Sequence, residues 1–286
     1  MRILVTGSSG GIGKVAFARL ESLGHEVRPF DIQRNDDLRD FQQVREAAKG
    51  CDTIVHIGAI PGDSDGHEEA VLASNAQGTW NILLAAVEHH IPKVIHFSSI
   101  QALGVVGGHH PPLYLPLDDA YPRHPRTPYQ IGKHLGEETC KAFSERWGIT
   151  TITLRPMLVA HQSTYVDTNS AIPYPALPWK EVQESEGMKN VLWAYTDIED
   201  LVDVIVLAVD CSLQGHHAFL VASDDTTMET PTLELVRQHW AHIPQRIPLE
   251  EWTAENPYRS LVDCSGLKEA LGWSPKRHWR DFVLQS

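Results

Sequence analysis

The sequence lacks the features that mark secreted, nucleic-acid-binding and metal-dependent proteins. Its 4 cysteines lie far apart, without the spacing of zinc ligands or of a disulfide framework. Lys and Arg number 24 against 37 Asp and Glu, a formal charge of −13 that disfavours binding to phosphate backbones and anionic membranes. We therefore expect no nucleic acid, no membrane and no metal as partners. Thiols this sparse favour a reducing, cytoplasmic location.

Long hydrophobic runs are missing too. The longest aliphatic stretch is a few residues near 204–209, whereas a helix that spans a bilayer needs about 20. The segment Met1–Val5 is already strand-like and leaves no room for a signal peptide before it. Hydrophobic residues nevertheless make up 42% of the chain and charged residues 21%, which excludes global disorder and predicts a soluble globular protein.

The first 155 or so residues alternate between short apolar runs and segments of helical periodicity. This alternation predicts an α/β fold with a doubly wound parallel sheet and helices on both faces. Only about five residues separate Asp31 from a polar turn at 37–40, so we expect the third strand to be short or missing. The predicted strands are 3–5, 27–30, 53–57, 94–97 and 151–154, and the predicted helices lie near 40–49, 67–90 and 129–147.

A glycine-rich segment, residues 7–13, follows the first predicted strand and opens the first helix. Gly7 would permit a tight turn, Gly10 would let backbone amides approach a pyrophosphate, and Gly13 would allow close helix–strand packing. This arrangement predicts a Rossmann-type dinucleotide site.

The acid expected at such a site is Asp31, 18 residues beyond Gly13 and at the end of the second strand. A carboxylate there accepts hydrogen bonds from the ribose hydroxyls and repels a 2′-phosphate, so NAD is favoured over NADP. Arg34 lies close enough to Asp31 in the sequence to weaken this preference for NAD over NADP. Asp37 and Leu38 are expected beside the adenine, with an exposed turn as the equal alternative.

The composition of the chain and the pattern of predicted elements change after Arg155. Proline is frequent at 161–190, a helix is predicted at 197–210 and a strand at 217–222, and tryptophans recur after 231. We predict that residues 1–160 with 191–223 form the NAD-binding domain. Residues 161–190 with 224–286 are expected to form a smaller, discontinuous C-terminal substrate lobe.

Tyr129 and Lys133 are four residues apart, which places both on one face of a helix. A free tyrosine has a pKa near 10 and is a poor base at neutral pH, but an ammonium one turn away lowers that pKa. A serine hydroxyl about 30 residues upstream would orient the substrate oxygen. Ser99 and its neighbour Ser98 are the two candidates.

Motifs along nearly the whole chain resemble, in order, those of the extended short-chain dehydrogenases/reductases, the NAD-dependent epimerase/dehydratase family. The matching segments are Thr6–Gly13 (TGxxGxxG), Asp52–Ala59 (DxVxHxAA), Asn75–Asn81 (NxxGTxN), Phe97–Ser99 with Gly104 (FSSxxxxG), Tyr129–Lys133 with Glu137 (YxxxK and a following Glu), Leu154–Pro156 and Leu271–Pro275.

The resemblance implies an enzyme with catalytic Ser99, Tyr129 and Lys133, the lysine also holding the nicotinamide ribose. Counting back from Gly104 favours Ser99 over Ser98. The family also implies a homodimer formed through the helices near 67–90 and 129–147. The implied NAD-binding residues are Gly7, Ser9, Gly10, Gly11, Ile12, Gly13, Asp31, Asp37, Leu38, Gly58, Ala59, Asn75, Lys133 and Pro156.

Departures from the family pattern narrow the reaction. Ile100 and Gln101 stand where sugar-nucleotide dehydratases carry an Asp-Glu pair, so that elimination chemistry is disfavoured. No arginine occurs between Arg155 and Arg237, and a diphosphate normally needs one. The smaller members that oxidise free sugars or sugar acids, uronate dehydrogenases among them, are the nearest match. Their carboxylate-binding arginine is also missing, and the loop residues Arg123 and Arg126 are candidates to replace it, with solvated loop charges as the alternative.

We therefore expect an NAD-dependent oxidoreductase that transfers hydride between a secondary alcohol of a small, sugar-like substrate and the nicotinamide. One alternative is a sugar or nucleotide-sugar epimerase with transient hydride transfer. A second is a non-catalytic regulator that senses NAD(P).

Overall fold

The computed structural model describes residues 1–63, 66–105, 111–161 and 179–283. The chain divides into two compact units. The first comprises Met1–Leu103, Arg123–Arg155 and Val202–Phe219, and the second Gly104–Pro122, Pro156–Leu201 and Leu220–Ser286. The division expected from the sequence also placed residues 104–122, 156–160, 191–201 and 220–223 in the cofactor domain, and that division stays a prediction.

The first unit is built on a six-stranded sheet in the order β2-β1-β3-β4-β5-β8. Strands β2, β1, β3, β4 and β5 pair in parallel with their neighbours, which confirms the predicted α/β class and parallel sheet. The strands are β1 (Arg2–Thr6), β2 (Glu26–Phe30), β3 (Thr53–His56), β4 (Lys93–Phe97), β5 (Thr150–Pro156), β6 (Leu158–Ala160), β7 (Tyr195–Asp197) and β8 (His216–Val221).

Strand β2 is the edge of this sheet, as the short connection after Asp31 predicts. Residues 31–40, all of them described, hold a 3₁₀ turn at Ile32–Arg34 and no strand. The prediction that the third strand is short or missing is therefore confirmed.

The predicted helix at 67–90 is divided. A π-helical turn, Ala73–Gln77, separates α3 from α4, and such turns often occur at functional sites. The helices are α1 (Gly11–Ser22), α2 (Phe41–Ala48), α3 (Glu68–Leu72), α4 (Gly78–Glu88), α5 (Pro128–Trp147), α6 (Trp179–Glu184), α7 (Glu186–Asn190), α8 (Ile198–Asp210), α9 (Thr232–His239), α10 (Leu249–Trp252), α11 (Ser265–Leu271) and α12 (Trp279–Val283).

Helix α5 begins and ends at strong local signals. Thr127 caps it by accepting a hydrogen bond from the Gln130 amide, and the Gln130 side chain completes a capping box. Pro128 occupies the first turn, where its missing N–H costs nothing. Gly148 ends the helix with a left-handed φ of 71°. These signals fix the start of the helix that carries Tyr129 and Lys133.

The second unit contains the parallel pair β6 and β7. Two buried carboxylates tie the C-terminal segment to it. Asp200 accepts hydrogen bonds from the amides of Lys276 and Arg277, and Asp225 forms an ion pair with Arg280. In the described part of the chain, no helix combines the length and apolar character needed to cross a membrane.

Candidate active site

The glycine turn between β1 and α1 is closely packed. Gly7 has a φ of 68°, and a Cβ atom added there would lie 2.7 Å from the Gly58 nitrogen. A Cβ on Gly13 would lie 1.9 Å from the Gly7 oxygen, so neither position accepts a side chain. Gly10 precedes α1 and makes no side-chain cap. The helix N-terminus is therefore suited to a ligand anion.

A cavity of about 230 Å³ opens beside this turn. Six of the residues expected at the cofactor line it, namely Gly7, Asp31, Asp37, Leu38, Gly58 and Ala59. Ile60 and Ser74 also line it and were missed by the sequence reasoning, although each directly follows or precedes a predicted residue. The remaining predicted loop residues, Ser9, Gly10, Gly11, Ile12 and Gly13, form the adjoining turn and the start of α1.

Asp31 is buried at the end of β2, with its carboxylate held from two sides. The Ser9 amide of the glycine turn donates to Oδ2 at 2.9 Å, and the Gln33 amide donates to Oδ1 at 2.9 Å. The carboxylate therefore lies against the turn and in the lining of the cavity, as a ribose acceptor requires.

Arg39, which lines the same cavity as Asp31, is already paired with another carboxylate. Arg39 forms a two-pronged ion pair with Asp37 and thereby lowers the pKa of the Asp37 carboxyl. Arg34, the residue expected to soften the cofactor preference, is exposed and lies outside the cavity lining.

Asn75 holds a main-chain segment that lines the cavity. Its Oδ1 accepts a hydrogen bond from the Ile60 amide at 2.9 Å, and its Nδ2 donates to the Ile60 carbonyl at 3.0 Å. The π-helical turn thus holds the segment 58–60 through both main-chain groups of one residue. Asn75 was expected at the cofactor, and in this structure it positions residues that line the cavity.

A row of buried polar side chains crosses the sheet beneath the site. Thr6, His56, His96 and Thr153 are register partners on four adjacent strands. Burial lowers the pKa of both histidines well below the usual value. The sequence motif contains His56, but the row is visible only once the strand register is known.

The hydrogen bonds of His56 define its tautomer. Thr79 donates its hydroxyl proton to the Asn75 carbonyl at 2.8 Å, so its oxygen accepts from His56 Nε2 at 3.1 Å. His56 Nδ1 then accepts from the Thr6 hydroxyl at 2.8 Å, while Thr6 Oγ1 accepts from the Gly58 amide at 3.0 Å. A neutral imidazole satisfies every partner and links β1, β3 and the cavity segment.

The chemical end of the site lies on α5. Lys133 is buried, and its Nζ donates to the Phe97 carbonyl at the end of β4 at 2.7 Å. Burial lowers the pKa of this ammonium to about 8, opposed by the nearby Glu137 carboxylate. The same Nζ lies 5.8 Å from the centroid of the Tyr129 ring. The helix thus brings the two predicted residues together on one face.

Tyr129 is half-buried in the first turn of α5. Its amide donates to the Asp63 carboxylate at 2.8 Å, an anion placed favourably at a helix N-terminus. The phenol ring is therefore presented by a capped and anchored turn.

The two candidate serines differ sharply. Ser98 is buried, and its hydroxyl donates to Glu137 Oε1 at 2.5 Å. Ser99 is half-buried, and its Oγ accepts from the Gln101 amide at 3.2 Å, a bond that leaves the hydroxyl its own proton. The two serines therefore differ in exposure and in hydrogen-bond partners, with Ser99 the more accessible of the two.

Glu137 forms ion pairs with two arginines near these serines. Arg155 is fully buried and donates from Nε and from its terminal nitrogen to the two Glu137 oxygens, each at 2.8 Å. Arg123 adds a contact of 3.3 Å. Sequence reasoning placed Arg155 and Glu137 only in family motifs and missed their pairing.

Two further residues named in the sequence analysis lie elsewhere. Arg126 is exposed, and Pro156, expected at the cofactor, belongs to the second unit.

These residues fit a bound NAD. The side-chain-free turn and the N-terminus of α1 suit a pyrophosphate, Asp31 suits the adenosine ribose, and Lys133 suits the nicotinamide ribose.

Proteins of known function that are similar to this chain include a dehydrogenase and an epimerase. A uronate dehydrogenase of Pseudomonas syringae pv. tomato is 30% identical over 239 residues, 79% of this chain and 76% of the relative. A UDP-glucose 4-epimerase of Corynebacterium glutamicum is 22% identical and covers 96% of this chain and 91% of its own length.

The fold has close structural neighbours as well. A short-chain dehydrogenase/reductase superfamily protein from Agrobacterium tumefaciens, solved with bound NAD, superposes with a TM-score of 0.74 at 20% identity, covering 100% of this chain and 95% of the neighbour. Residues 3–222 match the family model described as the NAD-dependent epimerase/dehydratase family. The resemblance inferred from the motifs is thereby confirmed, and the chain belongs to the NAD-dependent epimerase/dehydratase family.

Proposed function

We propose that the protein is an NAD-dependent dehydrogenase that oxidises a secondary alcohol of a small, sugar-like substrate. The observation that carries this proposal is the placement of Tyr129 over the buried Lys133, beside the β4 end that bears Ser99. Bound NAD would supply the hydride acceptor. The chain supplies the proton chemistry and the orientation.

Three side chains would divide this work. Tyr129 takes the proton of the substrate hydroxyl, because the Lys133 ammonium nearby favours the phenolate. Ser99 donates its hydroxyl proton to the substrate oxygen and fixes its direction. Lys133 is anchored by its hydrogen bond to the Phe97 carbonyl, with its Nζ 5.8 Å from the centroid of the phenol ring.

The direct test is the absorbance of NADH during turnover of candidate sugars and sugar acids. We expect net NADH formation by the wild type. Tyr129→Phe should lower kcat by about 100- to 10,000-fold, the usual contribution of a general base, and leave NAD affinity unchanged. If Tyr129→Phe turned over every substrate at the wild-type rate, the proposed chemistry would be refuted.

Within this proposal we favour a substrate that carries a carboxylate. Arg123 and the buried Arg155 share the single carboxylate of Glu137, so the cluster has one positive charge in excess. The Arg123 side chain is 29% exposed and accessible to a ligand. The similarity to a uronate dehydrogenase supports the same class.

Two arginine variants separate this substrate class from a neutral sugar. Arg123→Met should reduce kcat/KM for a uronate by about 10-fold or more, the value of a charge-assisted pair, with little effect on the matching neutral aldose. Arg126→Met is the control for the loop charge. Equal losses on both substrates would exclude carboxylate binding by Arg123.

An epimerase that uses the same hydride transfer is the second candidate, supported by the similarity to a UDP-glucose 4-epimerase. The lack of arginine between 155 and 237 argues against a diphosphate-bearing substrate. An epimerase would interconvert two sugars without accumulating NADH, so the same absorbance assay distinguishes the two. A non-catalytic regulator would bind NAD and show neither product.

We also propose a homodimer formed through α4 and α5. Trp80 is 49% and Trp147 40% exposed, large values for tryptophan. Trp80 packs edge-to-face on the buried Phe143 at 5.0 Å between centroids, and Phe143 contacts Trp147 at 4.4 Å, so both exposed rings pack on the same core residue. Such a patch is typical of an interface.

Sedimentation velocity tests the dimer. The wild type should sediment as a dimer at micromolar concentration and Trp80→Glu as a monomer, because a buried unpaired carboxylate is costly. Leu23→Glu changes a side chain that is 52% exposed at the end of α1 and should leave the dimer intact. A monomeric wild type would contradict the proposal.

A cytoplasmic location is our further proposal. None of the four cysteines forms a disulfide, and Cys51, Cys140 and Cys264 are buried as thiols. Burial raises the pKa of the Cys51 thiol, which keeps it protonated and unreactive. Cell fractionation with an antibody to the protein tests the location.

A further inference from the structure

Helix α5 contacts the end of β4 at two consecutive residues. Lys133 Nζ donates to the Phe97 carbonyl at 2.7 Å, and one turn further along, Glu137 Oε1 accepts from the Ser98 hydroxyl at 2.5 Å. Both contacts immediately precede Ser99. Because Tyr129, Lys133 and Glu137 are spaced four residues apart, the contacts lie on the helix face that carries the tyrosine.

The Glu137 carboxylate is itself rigidly held. Arg155 binds both of its oxygens at 2.8 Å from β5, in the two-pronged geometry that fixes direction as well as distance. The Ser98 amide donates to the Leu154 carbonyl, also on β5, at 2.8 Å. Ser98 is therefore restrained through its main chain by β5 and through its side chain by α5.

We infer that Ser98 and Glu137 form a positioning pair that sets the Ser99 hydroxyl relative to Tyr129. The inference rests on the proposed dehydrogenase function. The two hydroxyl-bearing neighbours have different tasks: Ser98 joins the end of β4 to α5, and Ser99 uses the resulting position to orient the substrate oxygen. The Ser98–Glu137 hydrogen bond thus acts on the reaction only through Ser99.

The charge arrangement favours this role over a purely structural one. Arg155 and Arg123 already neutralise Glu137, so the ion pairs do not need Ser98. The Ser98 bond is short and directed at a carboxylate, which makes it one of the stronger hydrogen bonds of the site. Replacing Glu137 would leave Arg155 buried without its partner, so the informative change is at Ser98.

The test compares Ser98→Ala, Ser98→Thr and a control, Ser144→Ala, which removes another buried serine hydroxyl from α5. We expect Ser98→Ala to lower kcat by about 10- to 100-fold, the cost of a misplacement of about 1 Å, with the NAD dissociation constant unchanged. Ser98→Thr retains the hydroxyl and should keep kcat within about threefold of the wild type. Ser144→Ala should match the wild type in both constants.

Two results would overturn the inference: a kcat of Ser98→Ala within about twofold of Ser144→Ala, or a kcat of Ser98→Thr as low as that expected for alanine. Should Ser98→Ala fail to fold, Ser98→Cys replaces it in the comparison, because a thiol of similar size is only a weak hydrogen-bond donor to Glu137. Tyr129→Phe is assayed in parallel. If the wild type forms no NADH from any sugar, the proposed function fails; if turnover depends on Tyr129 but not on Ser98, only the positioning role fails.

Discussion

Lys133 donates a hydrogen bond of 2.7 Å to the main-chain carbonyl of Phe97, joining α5 to the end of β4. The bond orients a buried ammonium whose pKa burial lowers to about 8. Burying a charged lysine lowers the free energy of unfolding, and groups with a pKa perturbed in this way are concentrated at functional sites. The relationship therefore links the stability of the first unit to the proposed chemistry.

The Lys133 pKa predicts a pH-dependent stability. The folded pKa of about 8 lies below the unfolded 10.5, so between these values the unfolded chain binds more protons and the free energy of unfolding rises with pH. Lys133→Met removes this contribution. In urea titrations, the difference in unfolding free energy between wild type and variant should increase in favour of the wild type from about pH 8 to about pH 10. A constant difference would show that the ammonium is not desolvated.

The glycine turn offers a matched pair of variants. A Cβ on Gly13 would lie 1.9 Å from the Gly7 oxygen, whereas a Cβ on Gly11 meets no atom within 4 Å. Gly13→Ala should therefore displace the turn, cost about 1–3 kcal/mol of stability and abolish NAD binding. Gly11→Ala should keep the turn in place and gain a few tenths of a kcal/mol of stability from the higher helix propensity of alanine. Calorimetric titration with NAD and thermal melts measure both; equal behaviour of the two variants would contradict the packing argument.

Local sequence predicted the strands well, because a buried parallel strand is a short apolar run. The run at 94–97 became Lys93–Phe97, and the run at 151–154 became Thr150–Pro156. The division of the helix at 67–90 was not predictable. The residues that flank the π-helical turn, Leu72 and Gly78, keep right-handed helical backbone angles, and Asn75 takes its role only because Ile60 lies beside it.

The candidate site was predictable where motif and helix spacing suffice, as for Tyr129 and Lys133. It was not predictable where strand register decides. The motif count from Gly104 favours Ser99 over its neighbour, but the sequence could not show that Ser98 is buried with its hydroxyl bonded to Glu137. The predicted roles of Ser99, Tyr129 and Lys133 await the kinetic tests.

Asp31 should determine the choice between NAD and NADP. Its carboxylate is fixed by the amides of Ser9 and Gln33, so Asp31→Asn keeps the shape but loses the charge that repels a 2′-phosphate. We expect the ratio of kcat/KM for NAD over NADP to fall by about 10-fold or more. Asp210→Asn, at an exposed position on α8, is the control for the change in net charge. An unchanged ratio would assign the preference to another group.

The buried histidines predict a loss of stability in mild acid. The pKa of His96 is lowered well below 6.5, chiefly by burial and then by Lys133, His216 and Arg155, and no hydrogen-bond partner for Nδ1 occurs among the described residues. Below pH 6.5 the unfolded chain takes up a proton that the folded chain does not, so the free energy of unfolding falls as pH decreases, by up to about 1.4 kcal/mol per pH unit for one such group.

Replacing His96 by leucine tests this argument, since the side chain keeps its approximate volume and loses the titratable ring. The slope of unfolding free energy against pH between about 6 and 5 should become shallower by about one proton, measured by urea denaturation. His242→Leu removes a solvent-exposed imidazole and controls for the loss of one ring. His56 retains its own contribution in both variants, because its neutral tautomer is held by Thr6 and Thr79. If His96→Leu and His242→Leu gave the same slope, His96 would be protonated in the folded protein as readily as an exposed histidine. The conclusion that the buried side chains in this row are neutral would then be wrong.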